Sequence, residues 1–344
     1  MTSQASTGIT LGRRQALTMT AALGAATVAA PYTLRRAWAQ GAKLIRISTS
    51  GSADEILSRS LVVFKESLDA AAPGAFNVEL HYNATLFGQG MEIPAMQRGN
   101  LEVGLVSPQD VAEQIPEYSI FTAGYLIADR GHLERVFAGE VGDEVFARID
   151  KDMGITVLGT QYHGQRHLVL REPKAIDTPA DLAGMKLRVP GSESWRFLGA
   201  ALGGNPTPIA FDEVYLALRT GTVDAVEQPL ADMISAKFYE VTKQLVLTGH
   251  LLSTIYFAFA KPFVDGLSDA ERDQVQAAVD AAVVFNNDEI SATEAGAVDF
   301  LTSQGMTATT PDLEAFRSHV LKAYMNSDFS ADWPAGMLEK INAA

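Results

Sequence analysis

The stretch Met185–Pro229, MKLRVPGSESWRFLGAALGGNPTPIAFDEVYLALRTGTVDAVEQP, alternates strand and helix signals three times over. Lys186–Val189 reads as a short strand with Leu187 and Val189 on its apolar face. Arg188 falls near its far end, just before Pro190 stops it. Trp195–Leu202 carries apolar residues at helical spacing and ends at Gly203-Gly204. Thr207–Ala210 gives a second strand. Asp212 is placed to cap the next helix, whose Val214, Tyr215 and Leu218 face inward and which Gly221 closes. Val223–Glu227 is the third strand. In open α/β sheets ligands sit outside the carboxyl ends of the strands, and Arg188, Phe211 and Gln228 all fall there. An arginine in that place offers a planar, permanently charged fork for a carboxylate or phosphate.

The same unit occurs earlier. Leu44–Ser48, Asn77–His81 and Leu101–Val106 read as strands, with helices over Asp54–Leu68 and Met91–Gln97 between them. Gly99-Asn100-Leu101-Glu102-Val103 echoes Gly221-Thr222-Val223-Asp224-Ala225. Two βαβαβ units predict an α/β protein of two similar lobes with a cleft between them; one larger doubly wound sheet is the alternative. Between the units, Phe121–Ile127 is expected as a strand, His132–Ile149 as a helix and Ile155–Gln161 as a strand. Tyr162–Arg166 is expected to loop out of that last strand near the cleft. After the second unit, Ala231–Gln244 reads as a helix, and Leu245–Thr248 and Ile255–Ala260 as separate strands, the latter returning to the first lobe. Ser268-Asp269-Ala270-Glu271 is a capping box that opens a periodic segment running to about Ser303. At 1.5 Å per residue this helix would be about 50 Å long, enough to brace both lobes. Thr310-Pro311 starts another helix to Met325.

A chain of 344 residues is long enough for two cores. Its net charge of −14 argues against nucleic acid and anionic membranes as partners. Residues 1–40 hold four arginines and no acid, so −14 becomes −18 once they are removed. The chain has no cysteine, which excludes thiol catalysis, Cys-zinc sites and disulfides. At the N-terminus, Arg13-Arg14 precedes a mildly apolar stretch from Ala16 to Ala30, then Arg35-Arg36 and Ala37-Trp38-Ala39. Twin arginines, a weak hydrophobic region and an A-x-A site fit a Tat export signal over 1–39, with the mature chain starting at Gln40.

The other chemistries fit poorly. His163 and His167 are four apart but sit in an expected loop with no carboxylate cluster, so no metal site is predicted. No G-x-S-x-G elbow, P-loop or dinucleotide fingerprint follows a strand, and no cofactor is expected. Arg188 needs a partner, because a charge at the end of a buried strand is costly alone. That partner is either a ligand anion or an internal acid such as Glu213 or Glu227, and spacing does not choose between them.

A resemblance does. Lys186-Leu187-Arg188-Val189-Pro190, then Pro206-Thr207-Pro208-Ile209, Glu213–Leu218 and Thr220–Glu227 together resemble the DctP-type, sialic-acid-binding-protein-like solute-binding proteins of TRAP transporters. The similarity extends over essentially the whole mature chain. It implies a periplasmic-binding-protein fold of two lobes that close on a small organic acid, a periplasmic location, and delivery to TRAP membrane permease subunits. The lobes would be 40–165 with 254–293, and 166–253 with 294–344. Arg188 matches the arginine that grips the ligand carboxylate, Arg166 a second site arginine, and Phe211 an aromatic lining position. Ser48–Gly51 and Ser107 would be the first lobe's contribution. Gln228 departs from the family's usual Glu-Asn-Pro, here Glu227-Gln228-Pro229. Thr49, Ser50, His163, Gln161 and Gln228 would give neutral hydrogen bonds, with Trp195 a further lining candidate, which favours a sugar acid over a C4-dicarboxylate or a 2-oxo acid. A monomeric binding protein without catalysis is expected. An exported enzyme using Glu193 or His163 as general base is the alternative.

Overall fold

Alternation of short β-rich runs with amphipathic segments gives a nine-stranded mixed sheet with helices packed on it. The structure, a computed structural model, describes residues 41–344, so the export signal expected over 1–39 lies outside the described residues. In chain order the first unit is β1 (Lys43–Ser48), α1 (Ile56–Ala71), β2 (Phe76–His81), α2 (Glu92–Gln97) and β3 (Val103–Val106). After helices α3 (Arg130–Ala138) and α4 (Glu140–Met153) comes the long strand β4 (Ile155–Leu170). The second unit is β5 (Lys186–Val189), α5 (Glu193–Ala201), β6 (Asn205–Pro208), α6 (Val214–Thr220) and β7 (Ala225–Pro229). There follow α7 (Leu230–Ser235), β8 (Gln244–Ala260), the 35-residue α8 (Asp269–Ser303), β9 (Thr307–Thr309) and α9 (Leu313–Met325).

Both βαβαβ units stand as expected. They are joined into one hydrogen-bonded path, in the order β2-β1-β3-β8-β4-β7-β5-β6, with β9 on β8. The join is the antiparallel pair β4–β8, which runs from Ile155 opposite Ala260 to Leu170 opposite Gln244. Its register slips at Val157/Gly159, Tyr162/Gly164 and Arg166/Leu168. Around the last slip, Arg166 pairs Leu251 while Leu168 pairs Val246, so one β4 residue faces four of β8. From Leu44 to Ala344 the chain is one compact unit.

Several expected elements differ. Tyr162–Arg166 is no loop but the middle of β4, because β8 pairs with the run from Ile155 to Leu170 throughout, across three register slips. The two strands expected at Leu245–Thr248 and Ile255–Ala260 are one, for the same reason. Phe121–Ile127 is not a strand; Pro116 starts a 3-10 helix to Thr122 that buries Tyr118, Ile120 and Phe121. An unbroken apolar run does not by itself separate strand from buried helix. The helix expected over His132–Ile149 is two, parted at Gly139, whose extended backbone ends the first. The helix expected from Ala231 stops at Ser235, since Lys237 takes a left-handed φ of +55°. Asp212 does not cap α6, being inside a 3-10 turn that precedes it.

The capping box at Ser268 forms with Glu271 and starts α8 where expected. Along its length α8 buries Val275 and Val279 with β1 and α1 residues, Ile290 with the β4 and α3 group, and Leu301 with the α6 and α7 group. Gly159 lets it lie close, for a Cβ there would stand 2.8 Å from Val279. Asn286 and Asn287 reach from α8 to the slip in β4. Asn286 donates to the Tyr162 carbonyl at 2.7 Å, and Tyr162 N donates to Asn287 Oδ1 at 2.8 Å. Among the described residues no helix is long and apolar enough to cross a membrane.

Candidate functional site

The carboxyl ends of β5 and β7 and the middle of β4 meet the turns after β1 and before α2 at one cavity of about 80 Å³. Arg188 is held on β5, which Pro190 ends, and is fully buried. Its Nε donates to the Ile209 carbonyl at 2.8 Å, Nη1 to Gln228 Oε1 at 3.4 Å, and Nη2 to Gln89 Oε1 at 3.1 Å. All three acceptors are neutral. Burial pulls the guanidinium down to about 9, with Glu227 opposing and Arg166 adding to the fall, so it stays charged at neutral pH. Gln89 also accepts from Phe211 N at 3.0 Å and ties the turn before α2 to the second unit.

Arg166 is the arginine with an internal acid. Its Nη2 donates to Glu227 Oε1 at 2.7 Å and its Nε to Oε2, both groups being buried. Its guanidinium lies 4.5 Å from the centre of the Trp195 ring. Burial works against ionised Glu227, but Arg166 and then His250 keep its carboxyl below the ordinary range. Neither acid considered for Arg188 reaches it: Glu227 is taken by Arg166, and Glu213 is exposed.

From Gln228 a polar chain leads inward. Gln228 Oε1 accepts from both arginines, so its amide nitrogen points the other way and donates to Asp232 Oδ2. His163 Nε2 lies 2.9 Å from the same oxygen, and Ser253 Oγ 3.4 Å from His163 Nδ1. Burial opposes the Asp232 charge, yet His163, Arg166 and Gln228 together hold its carboxyl low. Glu55, Glu92 and Asp110 line the cavity too. Burial pushes Glu92 up to about 8 with help from Asp110, and raises Asp110 itself.

Of the residues singled out in the sequence, Thr49, Ser50 and Ser107 line the cavity from the first unit's side. His163, Arg166, Trp195, Phe211 and Gln228 line it from the other. Arg188 is one layer behind, covered by Gln89 and Gln228. Ser48 turns away to Phe87, Gln161 to Ser60, and Glu193 lies outside the cavity wall. His163 and His167 do not converge. With the slips in β4 between them, His167 faces a separate hollow beside Arg130 and Glu294. Among the described residues no group of three or more His, Cys, Asp or Glu could hold a metal ion. Six polar cavity residues, Glu55, Gln89, Glu92, Asp110, Asp232 and Ser253, had no part in the sequence reading. Asp232 follows β7 by one helical turn and obeys the same strand-end rule as Gln228; Glu55 looked like an ordinary acid at a helix start, and Gln89 like a loop residue.

Comparison with known proteins is consistent along the whole described chain. The profile of the bacterial extracellular solute-binding proteins, family 7, matches residues 47–329. A solute-binding protein of Verminephrobacter eiseniae is 31% identical over 93% of this chain and 91% of its own. A TRAP periplasmic solute-binding protein of Roseobacter denitrificans, solved with bound 3-deoxy-D-manno-oct-2-ulosonic acid (KDO), is 44% identical. It superposes with a TM-score of 0.84 over 88% of this chain and 99% of that one. A second protein of that organism, solved with bound L-galactonate, is 26% identical with a TM-score of 0.80 over 88% and 98%.

Proposed function

This chain belongs to the bacterial extracellular solute-binding proteins of family 7, and on that premise we propose that it binds a sugar-acid monoanion in the cavity and hands it to a TRAP permease. The observation that carries the reading is Arg188: a fully buried cation with three neutral hydrogen-bond partners. Such a charge is strongly favoured by an anion that fits it. The carboxylate of the ligand takes the place of Gln89 Oε1 on Nη2 and makes two parallel bonds to the fork. Arg166, already neutralised by Glu227, orients the carboxylate through its remaining donors and holds Trp195 against the ligand. Gln228 fixes both arginines, and Phe211 covers an apolar edge.

The lobes move as read from the sequence, 40–165 with 254–293 against 166–253 with 294–344. The slips of β4 and β8 around Arg166 and Leu251 support a hinge there. Export by the Arg13-Arg14 signal places the protein in the periplasm as a monomer. KDO and L-galactonate, bound by the two Roseobacter relatives, are the first ligands to try.

A thermal-shift series with KDO, L-galactonate, D-galacturonate, succinate and pyruvate tests the reading. A sugar acid at 100 times its Kd adds about 2.7 kcal/mol of stability. A series in which no acid shifts the melting temperature would overturn it. The exported-enzyme alternative has one geometric point in its favour, the line Ser253–His163–Asp232. Against it, Asp232 Oδ2 is shared with Gln228, and the Ser253 contact is long. Turnover of a sugar-acid lactone or ester by the purified protein, lost in Ser253→Ala, would favour that alternative.

A further inference from the structure

Asp232 stands in the first turn of α7, just past the strand carrying Glu227 and Gln228. Only Oδ2 is engaged by Gln228 and His163. Glu55 reaches the same cavity from the start of α1, on the other unit. Its Oε1 accepts from Ser52 N at 3.2 Å. Its Oε2 lies 1.8 Å from where a Cβ on residue 51 would stand, so the glycine at 51 leaves the space this carboxyl fills. Burial and then the charge of Asp232 push Glu55 up to about 8, leaving it mostly protonated at neutral pH. The cavity thus presents a carboxylate on one side and a carboxylic acid on the other. One only accepts hydrogen bonds; the other also donates.

We propose that Asp232 and Glu55 read the hydroxyl groups of the ligand and exclude ligands that carry a second anionic group. The assignment rests on the sugar-acid reading of the same cavity and narrows it. A hydroxyl gives one hydrogen bond and accepts another, which matches an acceptor on one side of the cavity and a donor on the other. A second carboxylate or a phosphate meets the reverse. Arg166 is neutralised by Glu227, and Arg188 is left for a single ligand charge. Beyond the arginines the wall carries Asp232, Glu55, Glu92 and Asp110. A further anion there would face Asp232, and the basic groups nearest it, His163 and Arg166, are already engaged by Asp232 itself and by Glu227, while buried like charges are a strong basis for rejecting a wrong partner. Ligands of the class are therefore aldonates, uronates and ulosonates, with aldarates, C4-dicarboxylates and sugar phosphates turned away.

Isothermal titration of the purified protein with KDO, L-galactonate and galactarate tests this, since galactarate is galactonate with its far hydroxymethyl end oxidised to a carboxylate. The wild type is expected to bind the better of the two monoanions at least about a hundredfold more tightly than galactarate. Asp232→Asn removes the charge and keeps the shape, and is expected to narrow that ratio about tenfold or more, mainly by gain of galactarate. Glu55→Leu, on another element and free of the His163 network, is expected to weaken the monoanion about tenfold, while Glu55→Gln, which keeps a donor, stays within about threefold. Cooperative melting without ligand confirms that each variant is folded; should Asp232→Asn fail to fold, Glu55→Leu and Glu55→Gln decide. An unchanged ratio in folded Asp232→Asn, wild-type affinity in Glu55→Leu, or a wild type that prefers galactarate overturns the assignment. Failure of the wild type to bind either monoanion is a different result. It removes the sugar-acid reading itself, and this assignment with it.

Discussion

On the proposed clamp, Arg188→Ala would remove both bonds to the ligand carboxylate and leave that carboxylate buried and unpaired, at a cost of about 3–5 kcal/mol. A micromolar site would fall to roughly millimolar. Arg188→Lys keeps the charge but loses the fork, so titration should find it much closer to Arg188→Ala than to the wild type. Near-normal affinity in Arg188→Lys would remove the two-bond contact. Glu92 makes a prediction about pH. Its carboxyl is raised in the folded chain to about 8 by burial and Asp110, against about 4.3 unfolded. The folded state then holds the proton more tightly than the unfolded state, so this group's share of stability is full below pH 4 and is lost as pH rises to 8. Glu92→Gln is therefore expected to melt higher than the wild type at pH 8 and to match it near pH 4, both without ligand. Equal slopes of melting temperature against pH in the two proteins would count against a protonated Glu92. At this scale the sequence showed Arg188, Phe211 and Gln228, because strand ends are legible from Pro190 and from the turn after Pro208. It could not show that Arg166, rather than Arg188, would take Glu227. That choice depends on β4 pairing with β7, where Arg166 stands opposite Pro229 and Leu168 opposite Glu227.

Among the elements, α8 and β4 depend on each other most directly. At the slip beside Tyr162, Asn287 accepts from the backbone N–H and Asn286 donates to the carbonyl. Asn287→Ala leaves the buried Tyr162 N–H unpaired and should cost about 1–3 kcal/mol in denaturant unfolding. Loss below about 0.5 kcal/mol would mean that the bond contributes only its small net value. Helix α8 was readable from end to end because Ser268-Asp269-Ala270-Glu271 caps it locally and its alanine-rich body needs no tertiary help to be helical. Strands β4 and β8 were read as fragments for the opposite reason. Gly164 and Gly249 look like turn signals, yet each stands inside a strand, at or beside one of its irregularities, where only the partner strand decides the path. The asparagines gave no sign of their role, since a buried polar pair on a helix is meaningful only once the slip it serves is known.

For the whole molecule the cleft reading predicts motion. Only a ligand that touches both sides favours the closed arrangement, so small-angle scattering should report a smaller radius of gyration once a sugar acid saturates the protein. An unchanged radius at saturation would indicate a preformed site. The duplicated βαβαβ units were visible in sequence; their fusion into one path was not, because it lies in pairings between residues some 90 positions apart, such as Tyr162 with Thr254. That fusion bears on how the chain can be divided. Strand β8 pairs with β3 of the first unit, β4 with β7 of the second, and β4 and β8 with each other, so the molecule has no seam: a gene cut after either unit gives a fragment with half of a ladder and a row of open backbone groups. Expressed alone, such fragments should aggregate, and co-expression should rescue them only when one piece keeps β4 and β8 intact. A permuted chain with new ends at Gly305, in the exposed turn between α8 and β9, breaks neither strand and should fold and bind. A split reporter for the proposed ligand is better built at that turn than between the two repeats.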